Sequence, residues 1–291
     1  MLTIEGSHIG SATGTVLRFI ENGKIARASS LYSSYVLRLK NLYITSSTLN
    51  TILDMGKDTG HEIAVILENV HIEFSGENFG EYYPFIARKV IMKNCTYTVE
   101  CTSASAYYCW SGIDCDVLQV DDSTITLTNN YNSGFDLNFI YNSDVTGYIR
   151  NSALIGKGTH RTNFTNGQLK IDDCDITLGA NASLCHYTTD TEMKYSILRD
   201  CIVSYSNLTY LTFGKITGCT FKNTTNTNYG TDSGKLQILC PTQMTNNTFI
   251  GRSEMNFNEN KVLFADNVLQ YAQSYTTFPT GSVNSNTMVS G

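Results

Sequence analysis

The chain has 291 residues, a net charge of -6, a pI near 5.3 and only 16% charged residues, against about 25% in ordinary globular domains. With no cluster of lysine and arginine and no basic amphipathic stretch, this composition argues against nucleic acid as a partner. No stretch approaches the roughly 18 apolar residues of a membrane-spanning helix, so membrane insertion is not expected.

Residues 1–10 (MLTIEGSHIG) lack the basic start, apolar centre and cleavage site of a secretory leader. They enter at once a phrase that returns through the whole chain: apolar, any residue, Asn/Asp/Gly, small, any residue, apolar. It is cleanest at 169–178 (LKIDDCDITL). Its third position falls on Gly6, Asn41, Asn69, Asn94, Asp122, Asn151, Asp173, Asp200, Gly218, Asn246, Asp266 and Ser285. All but Ser285 are types that enter the left-handed backbone region at least cost. An apolar residue stands three places later in every copy, from Ile9 and Ile44 to Leu269 and Met288, and another two places earlier, from Ile4 to Val283. A left-handed corner between short alternating runs is a strand–bend–strand unit. Its return every 18–35 residues or so predicts a solenoid whose turns bury their apolar sides against one another.

The place just after the corner reads Ser7, Leu42, Val70, Cys95, Ser123, Ser152, Cys174, Cys201, Cys219, Asn247, Asn267 and Asn286. Three cysteines and then three asparagines in consecutive copies predict internal ladders, in which a side chain stacks on its like; an amide suits this because it both donates and accepts. In these stacks the chain resembles the right-handed parallel β-helix superfamily, the pectate-lyase-like fold. The resemblance covers nearly all of the sequence and is one of architecture. It implies an all-β, single-stranded right-handed parallel β-helix of about 12 coils, one domain over 1–291, with a cap and hairpin in 1–35 and regular coils from 36 to 291. A β-sandwich or barrel with chance Asn-rich turns is the alternative, and it accounts poorly for the ladders.

Within 1–35, the runs 16–20 and 25–28 flank Asn22-Gly23, the signature of a tight hairpin. Coils from 36 to 160 are long, and their extra residues include 76–84 (GENFGEYYP) and 102–112 (TSASAYYCWSG). The segment 140–145 (IYNSDV) also fits the phrase, nine residues before the Asn151 copy, as if one coil had two such corners. From 195 onward the coils shorten toward a bare rung. Nine cysteines, an odd number without disulfide or zinc spacing, suit a reducing compartment. Cys95, Cys174, Cys201 and Cys219 read as buried thiols, because ladder positions about 4.8 Å apart exceed the separation a disulfide prefers.

No phosphate loop, dinucleotide fingerprint, zinc-protease helix or nucleophile elbow is present. His8, His61, His71, His160 and His186 show no metal-ligand spacing, and neither metal nor cofactor is expected. If the chain is an enzyme, the candidate catalytic residues are Asp114 and Asp116, which alternate on one strand face, and Asp136 about one coil later; glycoside cleavage needs two such carboxylates. Asp121-Asp122 and Asp172-Asp173 resemble the double-Asp pairs of β-helix polygalacturonases, but the partner motifs of that family are missing, and so are the calcium-binding carboxylates of pectate lyases. Tyr107, Tyr108 and Trp110, with Tyr131 one coil on and Tyr82 and Tyr83 one coil before, are candidate carbohydrate-binding residues, since rings with polar edges suit sugar faces.

The resemblance extends to bacteriophage tailspike and tail-fibre β-helix proteins. It implies a non-enzymatic virion or cell-surface component, made in a reducing cytosol, that contacts a host glycan or polysaccharide and assembles as a homotrimer or with other virion subunits. A polysaccharide lyase or hydrolase and a purely structural rod are the alternatives.

Overall fold

The structure is a computed structural model, and it describes residues 1–7, 14–19, 23–26, 33–46, 51–57, 60–76, 83–102, 112–130, 137–140, 142–185, 195–206, 209–225, 234–251, 254–257, 262–270 and 286–289. Every strand pairing among them is parallel and joins one coil to the next. Two long sheets result. The first stacks 11 strands from Leu2–Glu5 to Val262–Ala265, and the second stacks 12 from Val16–Phe19 to Thr287–Val289. Short strands of two to four residues close the coils in three small stacks, of four, three and three strands. The molecule is a parallel β-helix solenoid, as the repeat predicts.

The corner between the two long sheets is where the repeat acts. Asn41, Asn69, Asn94, Asp122, Asn151, Asp173, Asp200, Asn246 and Asp266 all have left-handed backbones, with φ from 48° at Asp122 to 59° at Asn246. Gly218 does the same at 69°, and a Cβ there would collide with the Asp200 carboxylate one coil away. Asn and Asp tolerate this conformation better than other side chains, so each coil turns at the same height in the repeat. The next residue points inward. Its backbone N–H would be buried without a partner, and the side chain one coil later accepts it: Cys95 N–H donates to Ser123 Oγ at 3.0 Å and Ser123 N–H to Ser152 Oγ at 3.1 Å. Farther along, Asn247 donates N–H and Nδ2–H to Asn267 Oδ1, and Asn267 donates the same pair to Asn286 Oδ1, all at 3.0 Å. Cys95, Cys174, Cys201 and Cys219 are buried free thiols of this column. Burial pushes Cys95 up to about 11.

The residue before the corner makes a second column, on the outside. In register it reads Glu5, Lys40, Glu68, Lys93, Asp121, Arg150, Asp172 and Arg199, alternating in sign over eight coils. Lys40 meets Glu5 at 3.0 Å, Arg199 meets Asp172 at 3.0 Å, and Arg150 pairs with Asp121. Exposed pairs contribute a few tenths to about 1 kcal/mol each. Their larger effect is on register, because a slip by one residue brings every column out of line.

Three expectations change at the N-terminus. The runs at Val16–Phe19 and Ile25–Ala26 form no hairpin: each pairs in parallel with the following coil, in a different sheet, because they are successive sides of one coil. The apolar position after the Gly6 corner belongs to Leu17, in register with Ile44, rather than to Ile9, which lies outside the described residues. Gly6 does not take the left-handed conformation. At the second corner expected at 140–145, Asp144 N–H donates to Asn142 Oδ1 at 2.9 Å, a side-chain turn, and Asn142 is not among the residues with left-handed backbones.

Away from these ladders the interior is mostly apolar. Tyr97 lies fully buried among Phe74, Phe85 and Phe139, and its hydroxyl has no hydrogen-bond partner. Leaving a buried hydroxyl unpaired costs about 1–3 kcal/mol. Tyr97→Phe is therefore expected to raise the midpoint of thermal unfolding, whereas Asn267→Leu, which strands the amide groups of Asn247, is expected to lower stability by about 2–4 kcal/mol; paired melting curves check both signs.

Candidate functional site

Three consecutive strands of the second sheet, His71–Gly76, Thr96–Cys101 and Thr124–Asn129, stand in register and end together. The chain resumes in the short strands Phe85–Ala87, Ile113–Asp114 and Leu137–Asn138. Phe85 pairs with Ile113, and Ile113 N–H donates to Phe139 O at 2.8 Å, so these short strands are stacked as well. Between these strands, on successive coils, run the segments 77–82, 103–111 and 131–136. They carry Tyr82, Tyr107, Tyr108, Trp110, Tyr131 and Asp136, all of which lie outside the described residues.

Beside that edge the short strands support a charge cluster. In register, Asp54, Ile86 and Asp114 form one outward column. After Asp54 the strand shifts register at Gly56, whose φ of 72° only glycine adopts freely. That shift sends Lys57 along the rod instead of straight outward. Its Nζ crosses two coils to lie 2.7 Å from Asp114 Oδ1 and 3.4 Å from Asp116 Oδ1. Arg88 Nε adds a contact of 3.9 Å to Asp116 Oδ2, and its Nη1 donates to His61 O at 3.0 Å. Asp54 is held by Lys24 at 3.2 Å. Asp114 and Asp116 thus share one face and one cation.

Burial disfavours the charged form of Lys57, but its hydrogen bond to Asp114 and the charges of Asp114 and Asp116 outweigh this and hold its pKa above the usual 10.5. The lysine stays protonated, and its stabilising effect persists until pH rises past the ordinary lysine value. Cys115, between the two aspartates in sequence, points inward, and burial pushes its thiol up to about 12. What the cluster offers chemically is a set of fixed hydrogen-bond donors and acceptors at partial exposure, suited to polar neutral or weakly charged ligands.

Sequence reading missed the residues that fasten this region. Asn163 Nδ2 donates to Asn138 Oδ1 at 3.0 Å and to Asn166 Oδ1 at 2.7 Å, all fully or almost fully buried. Asn138, Asn163 and Ser183 are in register, a second internal ladder. The repeated Asn-Phe of 138–139 and 163–164 was its only signal. Lys57 gave none, since nothing local ties it to a residue 57 positions on. A shallow depression of about 480 Å³ lies elsewhere, on the corner around Ala153, lined by Asp122, Asn151, Asp173 and Asp175. Its acidic residues are mostly those the corner itself requires. Among the described residues, no group of three His, Cys, Asp or Glu side chains is placed to hold a metal ion.

Fold and site together define a parallel β-helix with a half-buried charge cluster on the flank closed by its short strands. No family model matches the chain, and neither a curated protein nor a solved structure matches it.

Lys57→Met is expected to lower stability by about 1–2 kcal/mol at neutral pH, by leaving Asp114 and Asp116 short of a cation. The deficit should hold constant to about pH 10 and shrink above it, where the native lysine also loses its charge. Denaturant titrations of both proteins across that range test it.

Proposed function

We propose that this chain is a non-enzymatic surface rod of the pectate-lyase-like β-helix type, a bacteriophage tailspike or tail-fibre component that contacts a host glycan. One observation carries the reading: the strands that flank the segments of Tyr107, Tyr108, Trp110 and Tyr131 in sequence stack on successive coils, beside the Lys57, Arg88, Asp114 and Asp116 cluster. A rigid scaffold with function on its loops is a common arrangement. Aromatic rings next to fixed donors and acceptors suit the apolar faces and hydroxyls of a sugar. The low charge and the wealth of Ser, Thr and Asn favour a neutral polysaccharide over an acidic polymer. The eight buried free thiols among the described residues accord with synthesis in a reducing cytosol before exposure at a virion or cell surface.

Polysaccharide cleavage is the second reading, favoured by the shared face of Asp114 and Asp116. In that case one carboxylate of the set acts as acid and another, with Asp136 included, as base or nucleophile.

Trp110→Ala is expected to weaken glycan binding at least tenfold, measured on immobilised host polysaccharide, with the melting temperature unchanged. A lower melting temperature with full binding would move Trp110 into packing and remove the reading. Asp114→Asn combined with Asp136→Asn separates the second reading: oligosaccharide release by the native chain that this variant loses would establish cleavage.

A further inference from the structure

The outward faces of the two long sheets differ sharply in charge. On the first sheet, half of the outward positions are charged, most of them in the alternating column. On the second sheet, the nine strands from Thr96–Cys101 to Thr287–Val289 present two outward columns in unbroken register. Of those eighteen positions only Asp175 and Lys222 carry charge; beyond them, the longer strands add Glu100 and Lys157 at one edge of the face. The rest of the eighteen are Thr, Ser, Gln, Ala, Ile or Val, small or β-branched side chains that make a flat surface. None is buried, and Ile202 is 42% exposed.

The placement of the two charges fits one occupant. Ile202–Tyr205 is the fifth of the nine strands, and the charges stand on the strands either side of it, Asp175 on Asp175–Leu178 and Lys222 on Thr220–Asn223. We propose that this face binds a second copy of the chain, antiparallel, about a twofold axis through the Ile202–Tyr205 strand. That axis lays nine strands over nine and sets Ile202 against Ile202 of the second copy. It also brings each Asp175 to the height of Lys222 in the other copy, twice over. The remaining offset, about 7 Å along the strand, is within reach of a lysine side chain. A same-height threefold assembly, the trimer expected from sequence, would level Asp175 with Asp175 instead.

Size supports full overlap. Nine strands span about 38 Å, and two outward columns with their side chains cover about 15 Å, so each copy buries on the order of 570 Å². The total, about 1,100 Å², sits at the low end of specific interfaces. An axis through any other strand would lose some of it. The inference does not rest on the glycan reading.

Light scattering and sedimentation on the full chain, across a hundredfold range of concentration, test it. The expected mass is twice 32.3 kDa. Ile202→Asp should raise the dissociation constant at least tenfold without changing the melting temperature. Asp175→Lys and Lys222→Asp should each weaken the dimer about tenfold, and the double exchange should restore it, because reversed charges still pair across the axis. A single-chain or threefold mass overturns the proposal, and so does a dimer indifferent to all three substitutions. Self-association retained by Trp110→Ala, with glycan binding retained by Ile202→Asp, would show the two surfaces to be independent.

Discussion

The whole molecule depends on one backbone constraint: each coil must turn through a left-handed residue at the same point, directly above the turn before it. Asn, Asp or Gly at that position meets the constraint at low cost. The turn, however, buries the N–H that follows it, and a buried donor without a partner costs as much as the corner gains. The inward column of Cys, Ser and Asn resolves this by letting each coil satisfy its neighbour. Corner and ladder are therefore one device. Neither works in an isolated coil, which is why the repeat must be stacked to be stable.

On this frame the outside of the rod is divided into zones. The edge of the first sheet carries paired charges that fix alignment. The second sheet carries few charges over its last nine strands, and the side closed by short strands carries the Lys57 cluster. A solenoid allows such zoning because outward side chains are almost free of the core: changing Asp114 or Ile202 leaves the inward column beside it intact. Among the described residues only three buried side-chain hydroxyls, those of Tyr97, Thr162 and Thr212, lack a partner, which shows how little latitude the interior has.

Much of the fold was legible because the decisive residues are local. The corner and the ladder sit within two residues of each other, so aligning the copies exposed both. The charge column was as readable, one place before the corner, and only needed that alignment read one residue further. The short strands escaped because two residues such as Leu137–Asn138 make no pattern, and their partners lie a whole coil away. The first corner misled because residues 8–15 stand between Ser7 and the strand at Val16–Phe19, a length the phrase does not encode. The candidate site was half legible: Asp114 and Asp116 share a face as their spacing implies, but Lys57 reaches them through a register shift at Gly56 that no local signal announces.

The alternating column also sets a rule of arithmetic on the length of the rod. Between Glu5 and Arg199 a single coil gained or lost sets two like charges side by side, whereas a change of two coils keeps the alternation. Beyond Arg199 the column continues as Thr217, Thr245 and Ala265, which impose no parity. The N-terminal stretch of the rod is therefore biased to lengthen in pairs of coils, steps of about 9.6 Å, and the C-terminal stretch is free to lengthen by single coils. A lineage of such rods would be expected to differ by even numbers of coils at one end and by any number at the other.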